Sequence, residues 1–126
     1  MSWQTYVDTN LVGTGAVTKG AIFGLDGSQW AVSPGFQPSA AEVKALIAGF
    51  SDNNSVRTNG LTVAGTKYLT IRADDRSIYG KKGATGVTCV KTTKAVLVGL
   101  YDDKIQPGQC ANVVERLADY LIGQGY

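Results

Sequence analysis

The chain has 126 residues, a net charge of +2, and a composition of 44% hydrophobic and 17% charged residues. These values fit a single globular domain over residues 1–126 with its own core, and they argue against a disordered or fibrous chain. The chain has no histidine and only two cysteines, which excludes histidine-based catalytic triads and most zinc sites. We therefore expect a protein that is not an enzyme and that needs no metal or cofactor.

Nothing in the sequence predicts export or membrane insertion. No apolar run approaches the roughly 20 residues that span a bilayer. The polar residues 2–10 lack the basic end and the apolar stretch of a signal peptide. We therefore expect a cytosolic protein in which Cys89 and Cys110 are reduced, because disulfides are rare in that compartment.

The first third of the chain predicts a helix followed by a hairpin. In the first ten residues, aromatic and aliphatic side chains fall near helical spacing, with Ser2 as the expected cap. Residues 16–24 then predict a strand. Asp26-Gly27 predicts a tight turn, and Gln29 to Val32 predict the returning strand.

A second helix is predicted from about residue 40 to residue 50. Ser39 and Glu42 form a capping-box pattern, in which each side chain accepts a hydrogen bond from the backbone N–H of the other residue. Apolar residues at the spacing of one buried helical face follow the cap, namely Val43, Leu46, Ile47 and Phe50. The polar residues 51–55 are expected to end this helix.

Residues 61–101 predict an antiparallel meander, because β-rich segments alternate there with turns. The segments are 61–65, 67–75, 77–83, 86–92 and 94–103. Within the second segment, a period of two places Leu69, Ile71 and Ala73 in one aliphatic row. The same period directs Arg72 away from that row.

The carboxyl-terminal part predicts a buried strand and a final helix. Ala95 to Leu100 are apolar on both faces, so both faces of the sheet should be covered. Pro107-Gly108 open a helix that Gly123 ends. Its apolar stripe consists of Ala111, Val114, Leu117, Ala118 and Leu121. We expect an α+β fold in which the two terminal helices cover one face of the sheet and the helix at 40–50 covers the other.

Basic residues are concentrated in one part of the chain. Residues 67–94 contain seven basic residues against two acidic ones, a charge of +5, and the rest of the chain carries −3. The seven are Lys67, Arg72, Arg76, Lys81, Lys82, Lys91 and Lys94. This polarity favours an acidic partner, whether a protein, a phospholipid headgroup or a nucleic acid. The alternative is a solvated lysine-rich hairpin with no partner.

Aromatic residues are concentrated near the two ends of the chain. Trp3 and Tyr6 lie one helical turn apart, while Tyr120 and Tyr126 lie in or after the last helix. If the terminal helices pack side by side, these rings and Trp30 form one aromatic surface. Such a surface suits a polyproline II ligand, because flat rings pack against pyrrolidines and N–H and O–H groups donate to free carbonyls. The alternative is that the rings fill the core.

Four stretches of the chain resemble the profilin family, and most closely the profilins of amoebae and other lower eukaryotes. They are SWQTYVD at residues 2–8, RADDRSIYGKKG at 72–83, IQPG at 105–108 and NVVERLADYLIGQGY at 112–126. The resemblance implies a profilin fold, a central antiparallel sheet with the terminal helices on one face and internal helices on the other. It also implies that proline-rich peptides lie across the terminal helices, on Trp3, Tyr6, Trp30, Tyr120 and Tyr126.

The resemblance further implies two sets of basic binding residues. The expected actin-binding residues are Arg72, Lys81, Lys82, Lys91 and Arg116. The expected phosphoinositide-binding residues are Arg72, Arg76, Lys81, Lys82 and Lys94. Clustered cations attract such headgroups at about 1 kcal/mol each.

Family membership implies a mechanism and a set of partners. The protein would loosen the nucleotide cleft of monomeric actin, speed ADP-for-ATP exchange, and deliver monomers to barbed ends while blocking pointed-end addition. Its partners would be monomeric actin, proline-rich proteins such as formins, and anionic phosphoinositides. It would act as a monomer at the actin-rich cell cortex, without binding nucleic acid. The alternative is a basic adaptor domain for phospholipid or nucleic acid.

Overall fold

The computed structural model describes residues 2–126. Its seven strands form one antiparallel sheet in the order β2-β1-β7-β6-β5-β4-β3. The strands are β1 (Lys19–Gly24), β2 (Gln29–Val32), β3 (Leu61–Val63), β4 (Thr66–Ala73), β5 (Ser77–Lys82), β6 (Thr85–Lys91) and β7 (Ala95–Tyr101). Sequential strands mostly pair as hairpins. The pairing of β1 with β7 is the long-range exception, and it joins the first hairpin to the meander.

Helices cover both faces of this sheet. The helices are α1 (Trp3–Thr5), α2 (Ala40–Gly49), α3 (Asn53–Asn59) and α4 (Pro107–Gly123). The first of them continues as a π-helix at Tyr6–Leu11 and a 3₁₀ turn at Val12–Thr14, and we name residues 3–14 the amino-terminal helix. This helix and α4 pack on one face, and α2 and α3 pack on the other. The expected α+β fold with the terminal helices on one face is confirmed.

The amino-terminal helix begins as its sequence predicts. The Ser2 hydroxyl accepts a hydrogen bond from the Thr5 backbone N–H at 3.2 Å, which satisfies one of the free donors of the first turn. Val7 and Leu11 are fully buried against the sheet. The helix is therefore fixed by both its cap and its apolar side, which holds its aromatic residues in place.

Helix α2 has the predicted capping box, and its acidic member also has a long-range role. The Glu42 carboxylate accepts hydrogen bonds from the backbone N–H groups of Ser39 at 2.8 Å and of Ala64 and Gly65 at 2.9 Å. Ala64 and Gly65 form the two-residue turn between β3 and β4, with φ angles of 50° and 82°. Glu42 therefore stabilises a left-handed backbone that alanine rarely adopts.

The polar residues 51–55 end α2 as predicted, but the sequence patterns did not place the further helix α3, which begins at Asn53. The Asp52 carboxylate accepts from the Ser55 backbone N–H at 3.3 Å and so caps a new helix immediately after α2. Only Val56 of this helix is buried, so its sequence shows no apolar stripe. The capping residue was the one local signal for it.

Strand β4 also differs from the prediction. Its register shifts between Thr70 and Arg72, so Ile71 is an extra residue opposite β5. Leu69 and Ile71 are 71% and 56% exposed, whereas Ala73 is buried. The predicted aliphatic row of these three residues is therefore wrong, because the bulge interrupts the period of two.

The carboxyl-terminal predictions are largely confirmed. Strand β7 is buried along almost its whole length, and α4 has Pro107 in its first turn. The buried residues of α4 are Cys110, Val114, Leu117, Ala118 and Leu121, with Cys110 rather than the half-buried Ala111 beginning the stripe. Cys89 and Cys110 are both free and buried. Within residues 2–126, no helix combines the length and the apolar character needed to cross a bilayer.

Candidate binding surfaces

The five aromatic residues singled out in the sequence lie together, with Trp3 at the centre. The ring of Trp3 lies 4.6 Å from that of Trp30, 5.0 Å from Tyr126 and 5.5 Å from Tyr6, measured between centroids. Tyr6 in turn lies 6.2 Å from Tyr120. All these separations fall in the range of favourable aromatic pairs. We name these five residues the aromatic surface.

The aromatic surface is partly core and partly exposed. Trp3, Tyr6 and Trp30 are half-buried and pack against the core between the terminal helices and the sheet. Tyr120 and Tyr126 are 49% and 41% exposed. The core-filling alternative therefore accounts only for the inner edges of the rings. Their outer faces remain available to a ligand.

Contacts between distant parts of the chain hold the aromatic surface together. The Gln4 side-chain amide donates to the Val32 carbonyl at 2.9 Å and accepts from the Val32 N–H at 3.4 Å, which ties the amino-terminal helix to β2. On the other side, the Tyr126 backbone oxygen accepts from the Thr92 hydroxyl at 2.8 Å. These contacts explain how Trp30 and Tyr126 reach Trp3. The sequence reasoning missed Gln4, whose polar side chain gave no signal.

Hydrogen-bond donors lie along the same surface. The Trp30 indole N–H donates to the Ser28 hydroxyl at 3.2 Å. Desolvation by burial, together with the neighbouring Tyr120, raises the pKa of Tyr6 above its usual value. Its phenol is therefore a neutral O–H donor at physiological pH. The surface offers both flat apolar rings and donors, the combination that a proline-rich chain requires.

A second surface lies on strands β4 and β5, beyond the edge of α4 on the same face of the sheet, since Tyr79 of β5 contacts Glu115 of α4. Leu69 of β4 lies opposite Lys81 of β5, and Arg72 lies opposite Tyr79. The Arg72 guanidinium lies 5.2 Å from the centroid of the Tyr79 ring and 3.1 Å from the Asp74 carboxylate. We name Leu69, Ile71, Arg72 and Lys81 the β4–β5 surface. Its cations were predicted from the sequence, whereas its two apolar residues were predicted only to share one row with Ala73.

Arg76 does not belong to this surface, because α4 neutralises its charge. Its guanidinium lies 3.1 Å from the Glu115 carboxylate and 2.7 Å from the Asp119 carboxylate. Glu115 also accepts hydrogen bonds from the hydroxyls of Ser77, at 2.7 Å, and Tyr79. Arg76 therefore attaches α4 to the start of β5. The structure does not support the predicted use of Arg76 for anionic headgroups.

The same network changes the acidity of Tyr79. Burial and then the hydrogen bond to Glu115 raise the pKa of Tyr79 to about 12. The phenol keeps its proton under physiological conditions because ionisation would place two negative charges side by side. It therefore remains a donor to Glu115, and its ring remains a platform for Arg72.

The remaining predicted basic residues do not form one patch. Lys82 lies beside the β5–β6 turn, opposite Thr85, whereas Lys91 lies at the far end of β6, opposite Val96. Thr85, which lies opposite Lys82, and Lys91 are six residues apart along β6, so the two lysines are separated by about 20 Å along the strand direction. Lys94 lies instead at the aromatic surface, where its ammonium is 5.9 Å from the Tyr126 ring centroid. The structure thus divides a set that the sequence suggested was continuous.

Arg116 lies in a groove between the two terminal helices. This groove has a volume of about 360 Å³ and is lined by Tyr6, Asn10, Arg116, Leu117 and Tyr120. Two of its residues, Tyr6 and Tyr120, belong to the aromatic surface. The structure therefore groups Arg116 with the rings rather than with the β4–β5 surface.

Residues 2–126 contain no group of three or more acidic or cysteine side chains placed to hold a metal ion. What the geometry presents is two external contact surfaces of different chemistry on one α+β sheet. One is aromatic with hydrogen-bond donors, and the other is apolar and cationic. This arrangement is that of a binding protein with two contact surfaces.

Comparison with known proteins identifies the family. The profilin family model matches residues 1–126. Profilin-2 of Acanthamoeba castellanii is 66% identical over 126 residues, covering 100% of both chains. The crystal structure of Acanthamoeba castellanii profilin II has a TM-score of 0.97 and covers 99% of this chain and 100% of that one. Mouse profilin IIa, solved in complex with a double repeat from the FH1 domain of mDia1, is 24% identical with a TM-score of 0.82, a likeness in fold.

The chain therefore belongs to the profilin family of actin-binding regulators. The resemblance to the profilin family drawn from the four sequence stretches is confirmed. Its predicted similarity to the profilins of amoebae and other lower eukaryotes is confirmed as well. Physarum polycephalum profilin-A, at 56% identity over the full length of both chains, points the same way.

Proposed function

We propose that this protein binds monomeric actin through the β4–β5 surface and proline-rich peptides through the aromatic surface, and that it thereby regulates actin polymerisation. The observation that carries the proposal is the convergence of five rings from three distant parts of the chain onto one partly exposed surface. Membership of the profilin family supports the same assignment.

Peptide binding follows from the dimensions of the aromatic surface. Successive centroids from Trp30 through Trp3 and Tyr6 to Tyr120 are 4.6, 5.5 and 6.2 Å apart. A polyproline II chain advances about 3.1 Å per residue, so every second residue or so meets a new ring. Prolines also leave carbonyls without local donors, and the phenol groups supply donors, whereas the Trp30 indole N–H is already donated to Ser28. The FH1 repeat bound to mouse profilin IIa is that protein's ligand, and for this chain the proposal rests on its own rings.

Actin binding follows from the combination of exposed apolar and cationic side chains. Leu69 and Ile71 are too exposed to contribute to the core, and exposed apolar groups of this kind mark protein contacts. Arg72 and Lys81 lie beside them and suit the acidic surface of actin. Lys82 flanks this surface at the β5–β6 turn. Lys91 stays a predicted contact at the far end of the same ribbon.

The consequences for actin extend this proposal. Bound to one monomer, the protein would loosen the nucleotide cleft, speed ADP-for-ATP exchange and deliver the monomer to barbed ends. A proline-rich partner such as a formin, held on the separate aromatic surface, would bring that monomer to the growing end. We propose a monomer that acts in the cytoplasm at the actin-rich cortex.

Phosphoinositide binding is proposed for a smaller set of cations than the sequence suggested. Arg72, Lys81 and Lys82 lie on or beside the β4–β5 surface, and Lys94 lies beside Tyr126. Arg76 is left out because two carboxylates already neutralise it. An anionic headgroup on these cations would compete with actin at the first surface and with peptide at the second.

A double dissociation tests the two-surface proposal. Lys81→Glu should weaken binding to monomeric actin by about tenfold or more and leave decaproline binding unchanged, because only the β4–β5 surface loses its complementarity. Tyr120→Ala should do the reverse. Titrations of actin-bound fluorophore and of intrinsic tryptophan fluorescence measure the two affinities. If both variants lost both activities while remaining folded, or if the parent bound mixed RNA and no actin, the proposal would be wrong and the adaptor alternative would be favoured.

A further inference from the structure

The groove between the terminal helices continues the aromatic surface at one end. Tyr6 and Tyr120 belong to both, and Arg116 forms the cationic part of the groove wall. Arg116 is exposed and forms no salt bridge within residues 2–126. Asp119, three residues further along α4 and thus on a neighbouring part of the helix, is engaged by Arg76 at 2.7 Å. The charge of Arg116 is therefore uncompensated beside the rings.

The opposite end of the aromatic row has the opposite charge. The Trp30 indole N–H donates to the Ser28 hydroxyl, which in turn donates to the Asp26 carboxylate at 2.6 Å. The row from Trp30 to Tyr120 thus begins beside a carboxylate and ends beside Arg116. Lys94 adds a positive charge near the middle of the row, at Tyr126. Asp8 of the amino-terminal helix is hydrogen-bonded at 3.0 Å by Gln4, which faces β2 rather than α4.

We propose that Arg116 makes this surface select proline-rich peptides that carry an acidic side chain just beyond the segment lying on Tyr120. The inference rests on the proposed peptide-binding function and adds a specificity-determining residue to it. A polyproline II segment of about five residues covers the row of four rings at about 3.1 Å per residue. The next residues of the same peptide enter the groove, where an acidic side chain meets Arg116.

The asymmetry of charge also sets a direction for the peptide. An acidic residue at the Tyr120 end meets Arg116, whereas one at the Trp30 end meets the carboxylate of Asp26. Attraction at one end and repulsion at the other favour the same orientation. A polyproline II helix by itself differs little between its two directions, so flanking charge decides which one is bound.

The test compares three peptides with a stretch of about eight prolines. One has two glutamates at its amino end, one has them at its carboxyl end, and one has two glutamines at each end. Affinities are measured by tryptophan fluorescence and calorimetry for the parent, for Arg116→Gln, for Lys94→Gln and for Lys104→Gln. Lys104, in the exposed turn between β7 and α4, is the matched control for the loss of one positive charge.

We expect both glutamate peptides to bind the parent about threefold to fivefold more tightly than the glutamine peptide, the size of one solvent-exposed ion pair, because each can lie in the direction that places its glutamates at Arg116. This advantage should disappear in Arg116→Gln and at high salt, and it should persist in Lys104→Gln.

Two results would overturn the inference while leaving the proposed function standing. One is equal binding of all three peptides to the parent. The other is an advantage that survives Arg116→Gln, including the case in which Lys94→Gln abolishes it. If the glutamine peptide did not bind the parent at all, the proposed peptide-binding function would fail, and this inference would fail with it.

Discussion

Replacing Trp3 with alanine removes the centre of the aromatic surface. The Trp3 ring contacts three others, those of Trp30, Tyr126 and Tyr6, at centroid separations of 4.6, 5.0 and 5.5 Å. It is half-buried, so it contributes both to the packing of the terminal helices and to the ligand surface. The substitution is therefore expected to lower both the free energy of unfolding and the affinity for polyproline.

The sizes of the two effects follow from the contacts of the Trp3 ring. Three aromatic pairs contribute about 0.5–1.5 kcal/mol each, and for a half-buried ring the expected loss of stability on Trp3→Ala is about 2–4 kcal/mol. An aromatic hot-spot residue contributes about 2 kcal/mol or more to binding, so decaproline affinity should fall by about thirtyfold. A domain stabilised by about 5–15 kcal/mol should remain folded after this change.

Tyr120→Ala separates binding from stability. Tyr120 is 49% exposed and pairs with one ring, that of Tyr6, at 6.2 Å. Its removal should reduce stability by about 1 kcal/mol or less, yet it takes a ring and a hydroxyl from the ligand surface. Urea unfolding and decaproline titration of both variants and the parent, with actin affinity as a control, give all the required values.

Both variants must lose decaproline affinity, but only Trp3→Ala may lose much stability. If Tyr120→Ala and the folded fraction of Trp3→Ala bound decaproline as the parent does, the aromatic surface would not be the peptide site. If folded Trp3→Ala protein lost actin and kept decaproline, the two surfaces would have been assigned in reverse.

Three further predictions concern stability and the thiols. Burial and the hydrogen bond to Glu115 raise the pKa of Tyr79 to about 12. The contribution of the protonated phenol to the free energy of unfolding is therefore complete below about pH 10, and it should be lost as pH rises towards 12. In alkaline urea titrations, Tyr79→Phe should lose less free energy of unfolding than the parent does. Although burial acts to raise it, backbone N–H donors lower the pKa of Glu42. Glu42→Gln should therefore cost about 1 kcal/mol at neutral pH, and this difference from the parent should shrink as acid protonates the carboxylate. Burial raises the pKa of Cys89 and Cys110, so iodoacetamide should label neither thiol before unfolding, and rapid labelling of the folded protein would contradict their burial.

Features that depend on neighbours in the chain could be predicted from the sequence. The capping box of Ser39 and Glu42, the Asp26-Gly27 turn and the start of α4 at Pro107 were all predicted and are confirmed. In each case the side chain or backbone conformation that decides the structure lies within four residues of its partner. The meander of β3 to β7 was predictable for the same reason, because its strands are joined in sequence by short turns.

Features that depend on a distant partner were decided by the tertiary structure. The bulge at Ile71 arises from the register between β4 and β5, and it separates the exposed Leu69 and Ile71 from the buried Ala73, although the local pattern placed all three in one row. Arg76 looked like a free cation in the sequence, but Glu115 and Asp119 lie about forty residues away in the chain and neutralise it. A charge count along the sequence does not include the acidic side chains that become neighbours of a cation only when the chain folds.

The residues in and beside the aromatic surface also differ in whether local sequence or tertiary structure decided their place. The sequence determined which residues could contact a proline-rich ligand, since the types and helical spacing of Trp3, Tyr6 and Tyr120 are local properties. Only the tertiary structure decided that Trp30 and Tyr126 join them, through the contacts of Gln4 with Val32 and of Thr92 with the Tyr126 backbone. It also decided that Arg116 lies beside the rings, because the direction of a helical side chain is set by where the helix packs and not by its sequence alone.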